Sequence, residues 1–271
     1  MTFAIVFPTI DPVLIQIGPF AVRWYALAYI AGLVIGWRLM RRLAARAPHN
    51  LDPERIDDFL VWATIGVIIG GRLGYVLFYN FSYYMSHPGA IVQVWKGGMS
   101  FHGGLLGVVT AGYFYARKIK VPVLAFADLI AVVAPMGLFF GRIANFINAE
   151  LYGRVTDVPW GVVFPGGGDA PRHPSQLYES ALEGALLFVV LIVLYRLSCV
   201  RARFGFSAGV FFVGYGLARS FVELFRQPDA HIGFLSFGTT TGQWLSVPMI
   251  AAGIWLMVRA WPAKPVTEKD G

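Results

Sequence analysis

Continuous apolar runs recur along the chain at about residues 20–40, 57–79, 102–117, 124–146, 177–197, 206–226 and 241–260. A hydrocarbon core roughly 30 Å thick is crossed by about 20 residues of helix, so each run predicts a membrane-spanning helix, the third of them short. The runs are longer and more evenly apolar than the alternating segments of about ten residues that build a membrane β-barrel. The pattern therefore predicts an all-α, polytopic integral membrane protein with seven transmembrane helices, organised as a single transmembrane domain over residues 1–271. Residues 1–19 hold Pro8, Asp11 and Pro12 with no basic leader, so they read as an outer lead-in, not a cleaved signal peptide. Residues 80–101 and 147–176 are expected as outer loops, and 261–271 as a cytoplasmic tail.

Composition agrees: 57% of the residues are hydrophobic and 14% charged, against roughly 25% charged in a soluble domain. The basic residues then orient the chain. Lys and Arg accumulate in cytoplasmic loops, and fourteen of the twenty-two fall in alternate connections: Arg38 to Arg55 after helix 1, Arg117 to Lys120 after helix 3, Arg196 to Arg203 after helix 5, and Arg259 to Lys269 at the end. This predicts an outer amino terminus and a cytoplasmic carboxyl terminus. The net charge of +7 is then topology signal and attraction to anionic lipid, and implies no nucleic-acid partner. A single cysteine, Cys199, excludes an internal disulfide framework.

The other eight basic residues are Arg23, Arg72, Lys96, Arg142, Arg154, Arg172, Arg219 and Arg226. Arg72, Arg142 and Arg219 fall one to two turns inside the outer ends of three helices, where a charge is costly unless it is paired or faces water. Snorkelling to the interface is the plain alternative for any one of them. Together they predict one polar cavity open to the outer leaflet. Arg142, Asn145 and Asn148 share a helix face at spacings of three, and Tyr215, Arg219 and Glu223 step by four. Glu223 with Arg226 also reads as a self-neutralising ladder within one helix.

Residues 100–107, SFHGGLLG, place His102, Gly103 and Gly104 at the outer end of a helix, where free N–H groups and the helix dipole favour an anion and glycine permits close backbone approach. A structural hydrogen-bonding role for His102 competes with a chemical one. In PRHPSQLYES, 171–180, Ser175 reads as an N-cap and Glu179 as a complement to the dipole. HExxH, paired CxxC and a glycine-lysine phosphate loop do not occur in the sequence, so metal hydrolysis and phosphate-loop chemistry have no motif behind them.

These residues resemble a known family. GRIANFINAELYGR at 141–154, with VRWY at 22–25, SFHGGLLG at 100–107, RHPSQLYE at 172–179 and FVELFRQPD at 221–229, resembles in order and spacing the prolipoprotein diacylglyceryl transferases of the bacterial inner membrane. The resemblance implies a seven-helix enzyme whose active site faces the outer leaflet. Such an enzyme moves the diacylglyceryl group of phosphatidylglycerol to the lipobox cysteine thiol of a prolipoprotein and releases glycerol phosphate, with no cofactor and no metal. It further implies that Tyr25, His102, Arg142, Asn145, Glu150, Gly153, Tyr215 and Arg219 matter.

In that chemistry a guanidinium suits a phosphate, so Arg142 and Arg219 are expected on the phosphate, with Asn145 and Tyr25 or Tyr215 as neutral donors. His102 is the best available base for the thiol. Glu150 is expected to orient a base or to pair with Arg142 or Arg154, and Gly153 reads as a turn position. Gly103 and Gly104 join the expected lipid-binding set. An anion transporter is the competing class, although transporters concentrate polar groups at the bilayer midplane and here they crowd the outer half. A head-group transferase with an alcohol acceptor is the third reading.

Overall fold

The computed structural model describes residues 5–8, 11, 13–18, 20–228 and 233–261. Expectations on Pro12, Asp229 and the tail from residue 262 fall outside these. In chain order the elements are β1 (Ile5–Val6), β2 (Val13–Ile17), β3 (Phe20–Arg23), α1 (Trp24–Ala44), α2 (Glu54–Phe78), α3 (Phe81–Ser86), α4 (Phe101–Lys118), α5 (Val123–Ile147), β4 (Val162–Val163), α6 (Ser175–Glu179), a π-helical segment Ser180–Leu186, α7 (Leu187–Arg196), α8 (Ser198–Arg201), α9 (Phe206–Val222) and α10 (Thr241–Ala260). Every predicted apolar run is helical. Four stretches, Glu54–Phe78, Val123–Ile147, Ser175–Arg196 and Thr241–Ala260, are long and apolar enough to cross a membrane, and Phe206–Val222 is apolar but shorter.

The chain is mostly helical, as an all-α membrane protein would be, and short strands occur before α1 and between α5 and α6. Gly18, at φ 59°, turns β2 back onto β3 in an antiparallel hairpin that runs directly into α1. β1 pairs in parallel with β4, and Phe7, Val162 and Phe164 pack there with Phe146 and Tyr152. Groups in such segments cannot form helical bonds, so short ladders satisfy the backbone instead.

The chain divides into two compact units, Met40–Ala127 and Met1–Leu39 with Asp128–Gly271. In the first, α2 and α4 lie side by side on a seam of small residues. Gly66, Gly70 and Gly74 face Gly103, Gly107 and Ala111, and a Cβ on Gly70 or on Gly74 would sit 2.8 Å from the Gly107 or the Gly103 Cα, respectively. This is the spacing of four that lets membrane helices approach closely. Ser100 caps α4 by accepting the Gly103 N–H at 3.2 Å, and the Tyr115 hydroxyl donates to the Arg55 carbonyl at 2.6 Å.

In the second unit, α1 meets α5 where Gly32 opposes Gly137, and α9 meets α10 where Gly209 opposes Gly253. The buried Asp128 carboxylate accepts the N–H groups of Gly205 at 2.6 Å and Ala208 at 2.7 Å. It thereby satisfies orphan donors at the start of α9 with a charge of the right sign, and α9 is the helix that carries Tyr215 and Arg219.

Candidate active site

The second unit assembles a cluster of six charges. Glu179 ends α6, Glu183 lies in the π-helical segment one turn on, and both are fully buried. Arg142 of α5 brings Nε to 3.3 Å from Glu179 Oε2 and Nη2 to 3.9 Å from Glu183 Oε2. Arg219 of α9 pairs with Glu179, lies 3.8 Å from Glu183 Oε1, and places Nη2 at 2.7 Å from Glu223 Oε1. Arg226 completes the set, 3.6 Å from Glu179 and 3.9 Å from Glu223.

The carboxylates form a sealed floor while the arginine side chains keep 17%, 15% and 12% exposure for Arg142, Arg219 and Arg226. Formally three guanidiniums meet three carboxylates. Such buried charges are tolerated only because each has opposite partners close by. The exposure that remains in the cluster therefore belongs mostly to the arginine side chains. A small polar cavity opens beside it, lined by Arg219, Glu223, Arg226, Thr240, Thr241 and Gly242.

Two sequence expectations change here. Glu179 is no dipole complement but the hub of the cluster, and Ser175 is the first helical residue after Pro174, its hydroxyl donating to the Leu151 carbonyl at 3.2 Å. The Glu223–Arg226 contact belongs to an interhelical network, with Glu223 closer to Arg219 than to Arg226. Glu183 and Gln176 were missed. The available signal was QLYESALEGALLF, in which two glutamates four apart interrupt an otherwise apolar helix. The π-helical turn packs on α5, where Ser180 donates to the Phe139 carbonyl at 3.2 Å and Gly184 leaves no room for a Cβ against Phe139. π turns recur at functional sites.

The end of α5 supplies the rest. The Ala149 N–H donates to the Phe146 carbonyl at 2.9 Å and the Glu150 N–H to the Asn145 carbonyl at 3.0 Å, the bond pattern of a Schellman motif. Its left-handed position, usually glycine, is Ala149 at φ 53°, and Leu151 follows at φ 58°. Each such non-glycine residue costs roughly 1–2 kcal/mol. The hydrophobic contact usual between the flanking residues is replaced by a hydrogen bond, with Asn145 Nδ2 donating to Glu150 Oε1 at 2.7 Å. The side chain of Glu150 thus bonds Asn145, where a pairing with Arg142 or Arg154 was expected.

Arg154 instead donates to the Arg226 and Glu223 carbonyls at 2.8 and 3.0 Å, tying the segment after α5 to the end of α9. Gly153 is no turn. It is bridged to Arg226 in extended chain, and a Cβ there would lie 2.5 Å from the Phe225 carbonyl oxygen and 2.8 Å from His173 Cβ. His173 Nδ1 lies 3.1 Å from the Tyr178 hydroxyl. Burial, and then the charge of Arg154, hold its imidazole below the usual histidine range, so it stays neutral near pH 7.

Tyr25, at the start of α1, shares a hydrogen bond of 3.1 Å with Tyr29 and lies in the fields of both Glu150 and Arg142. Tyr215 lies in the fields of Glu183, Arg219 and Arg142. The second unit thus brings together Tyr25, Arg142, Asn145, Glu150, Tyr215 and Arg219.

His102, Gly103 and Gly104 belong to the other unit. His102 is exposed in the first turn of α4. Gly103 departs from the anion-site expectation: its N–H is held by Ser100 and its open face is filled by α2. Gly104 is buried, with only ordinary contact to Val67. Arg72, expected to line the same cavity, is committed to backbone carbonyls instead. It is 5% exposed and donates to the carbonyls of Ala90, Ile91, Gln93, Gly97 and Gly98.

Comparison with known proteins places this geometry. The family model for prolipoprotein diacylglyceryl transferase matches residues 12–259. A protein of Paramagnetospirillum magneticum named phosphatidylglycerol–prolipoprotein diacylglyceryl transferase is 58% identical over 262 residues, covering 96% of this chain and 97% of its own length. Proteins of the same name from Azospirillum brasilense, 58% identical over 95% of this chain and 97% of their own, and from Rhodospirillum rubrum, 55% identical over the whole of both, agree. With the family model spanning nearly all of its length, the chain belongs to the prolipoprotein diacylglyceryl transferase family.

Proposed function

We propose that this chain transfers the diacylglyceryl group of phosphatidylglycerol to the lipobox cysteine of prolipoproteins, the first step of lipoprotein maturation. It does so from the bacterial inner membrane, which it crosses seven times with the amino terminus outside and the site open to the outer leaflet. The observation that carries the reading is the cluster itself, three partly exposed arginines over buried carboxylates, in a chain of this family. A phosphodiester is the anion whose oxygens fit several guanidinium edges at once.

In the reaction the thiol sulfur attacks the glycerol methylene carbon bonded to phosphate. A C–S bond forms, the C–O bond breaks with its electron pair moving to the phosphate oxygen, and glycerol phosphate leaves. Two things must be stabilised. Arg142 and Arg219 take the growing charge on the leaving phosphate, where preorganised donors in a water-poor site act strongly, and Tyr25, Tyr215 and Asn145 serve as neutral donors. The thiol proton must also go to a base. We assign it to His102, since an imidazole is the side chain best suited to take up a proton in a positioned transfer. The apolar helices leave the acyl chains in hydrocarbon.

The test is direct. Purified protein is incubated with phosphatidylglycerol and a lipobox peptide, and the peptide is weighed. The reading expects the mass of one diacylglyceryl group added to the cysteine peptide, and none when that cysteine is serine. Equal modification of the serine peptide would favour an alcohol acceptor. No modification, with anion flux through vesicles holding the protein, would overturn the transferase in favour of a transporter.

A further inference from the structure

Glu150 is held by more than its own turn. Gln176, fully buried in the first turn of α6, donates from Nε2 to the Glu150 carbonyl at 2.6 Å. Its neighbour Ser175, also fully buried, donates to the next carbonyl, that of Leu151. Two successive side chains thus grip two successive carbonyls, at the place where the backbone runs through left-handed alanine and leucine on either side of Glu150. A local turn this unfavourable persists only where its surroundings over-determine it. The grip also joins α5 to the element that carries Glu179, because Gln176 and Glu179 stand three apart in the same helix.

We propose that Gln176, assisted by Ser175, is a positioning residue that fixes the carboxylate of Glu150 for the transfer reaction, an inference that rests on the transferase reading above. With its N–H and Oε1 bound to Asn145 and its carbonyl bound to Gln176, Glu150 has one carboxylate oxygen already committed and the other aimed by a backbone that cannot rotate. Gln176 itself touches no reacting atom in this account. Its Oε1 is buried without a hydrogen-bond partner among the described residues, and its amide donates to Glu150.

The test compares Gln176→Met, which keeps length and loses the donor, with Glu150→Gln and with the double variant. Gln176→Met is expected to lower kcat about tenfold or more with KM changed by less than about twofold, as misplacement by a fraction of an ångström would. In the double variant the losses should not add, because both changes remove the same placement. Fully additive losses, or a wild-type kcat in Gln176→Met, would overturn the proposal. A purely structural role would instead lower thermal stability and kcat together and leave the losses additive.

Should Gln176→Met fail to insert, Ser175→Ala removes only the hydroxyl on Leu151, with a smaller loss of kcat expected at unchanged KM. No loss there would also count against the grip. Hydrogen exchange over residues 148–152 reads the same device without any assay of transfer. Faster exchange of the Glu150 amide in either variant supports the grip, and unchanged exchange contradicts it. A wild-type protein inactive toward phosphatidylglycerol would sink the transferase reading and leave that exchange result to stand or fall by itself.

Discussion

Arg72 and Arg142 look alike as isolated arginines near the outer ends of apolar helices, and their surroundings make them different. Arg72 meets five backbone carbonyls and has no donor left for a ligand of any size. Arg142 meets carboxylates and stays 17% exposed. Arg72→Gln should therefore lower the stability of the segment 88–98, seen as faster proteolysis there, before it affects transfer. Unaltered proteolysis would show that the carbonyl contacts carry no weight.

Ala149 offers a second check at this scale. Its left-handed φ suits glycine, and Ala149→Gly should stabilise the protein by about 1 kcal/mol, raising the denaturation midpoint. A lower midpoint would mean that the turn is not left-handed in solution. Arginines were legible in the sequence because a charge in an apolar run has few explanations. Glu179 was not, because a carboxylate one turn into a helix already has an ordinary one.

Helices reveal themselves by length and hydrophobicity, which is why each predicted run proved helical, usually to within a few residues. Their interfaces are written in a fainter code. Gly66, Gly70 and Gly74 against Gly103 and Gly107 make a seam, and the sequence reading assigned Gly103 to anion binding because a glycine at a helix start fits both roles. The π-helical turn was not legible at all, since its cause is the packing of Ser180 and Gly184 on Phe139 of a distant helix. The strands β1 and β4 were equally hidden, two residues each and stabilised by their partners.

The seam makes a prediction with an internal control. Gly70→Val should destabilise by roughly 1–3 kcal/mol through overpacking, whereas Gly137→Ala, where an added Cβ meets nothing within 4 Å, should have little effect. Equal thermal midpoints for the two variants would contradict the packing of α2 on α4.

At the scale of the whole molecule, the partition of basic residues and the cluster lead to one orientation. Single cysteines introduced between Asn80 and Gly98, or between Glu150 and Pro174, in a Cys199→Ser background should react with an impermeant thiol reagent in intact cells. Reaction only after permeabilisation would place Glu150 and the outer loop on the cytoplasmic side, and a periplasmic acceptor would then be out of reach. Family membership and helical architecture came from motifs spread along the chain. The division of labour between a buried acidic floor and a partly exposed guanidinium face needed coordinates, because Arg142, Glu179, Glu183 and Arg219 are brought together from three separate stretches.

The central claim is that this face receives the phosphate of the lipid donor, and it is tested most directly by the rate of diacylglyceryl transfer from phosphatidylglycerol to a lipobox peptide in wild type, Arg142→Gln and Arg219→Gln, each shown to be folded and membrane-inserted. Losing one preorganised donor costs about 10² to 10³ in rate. The account predicts a fall of at least about a hundredfold in each variant, and a turnover within about threefold of wild type in either one would contradict it.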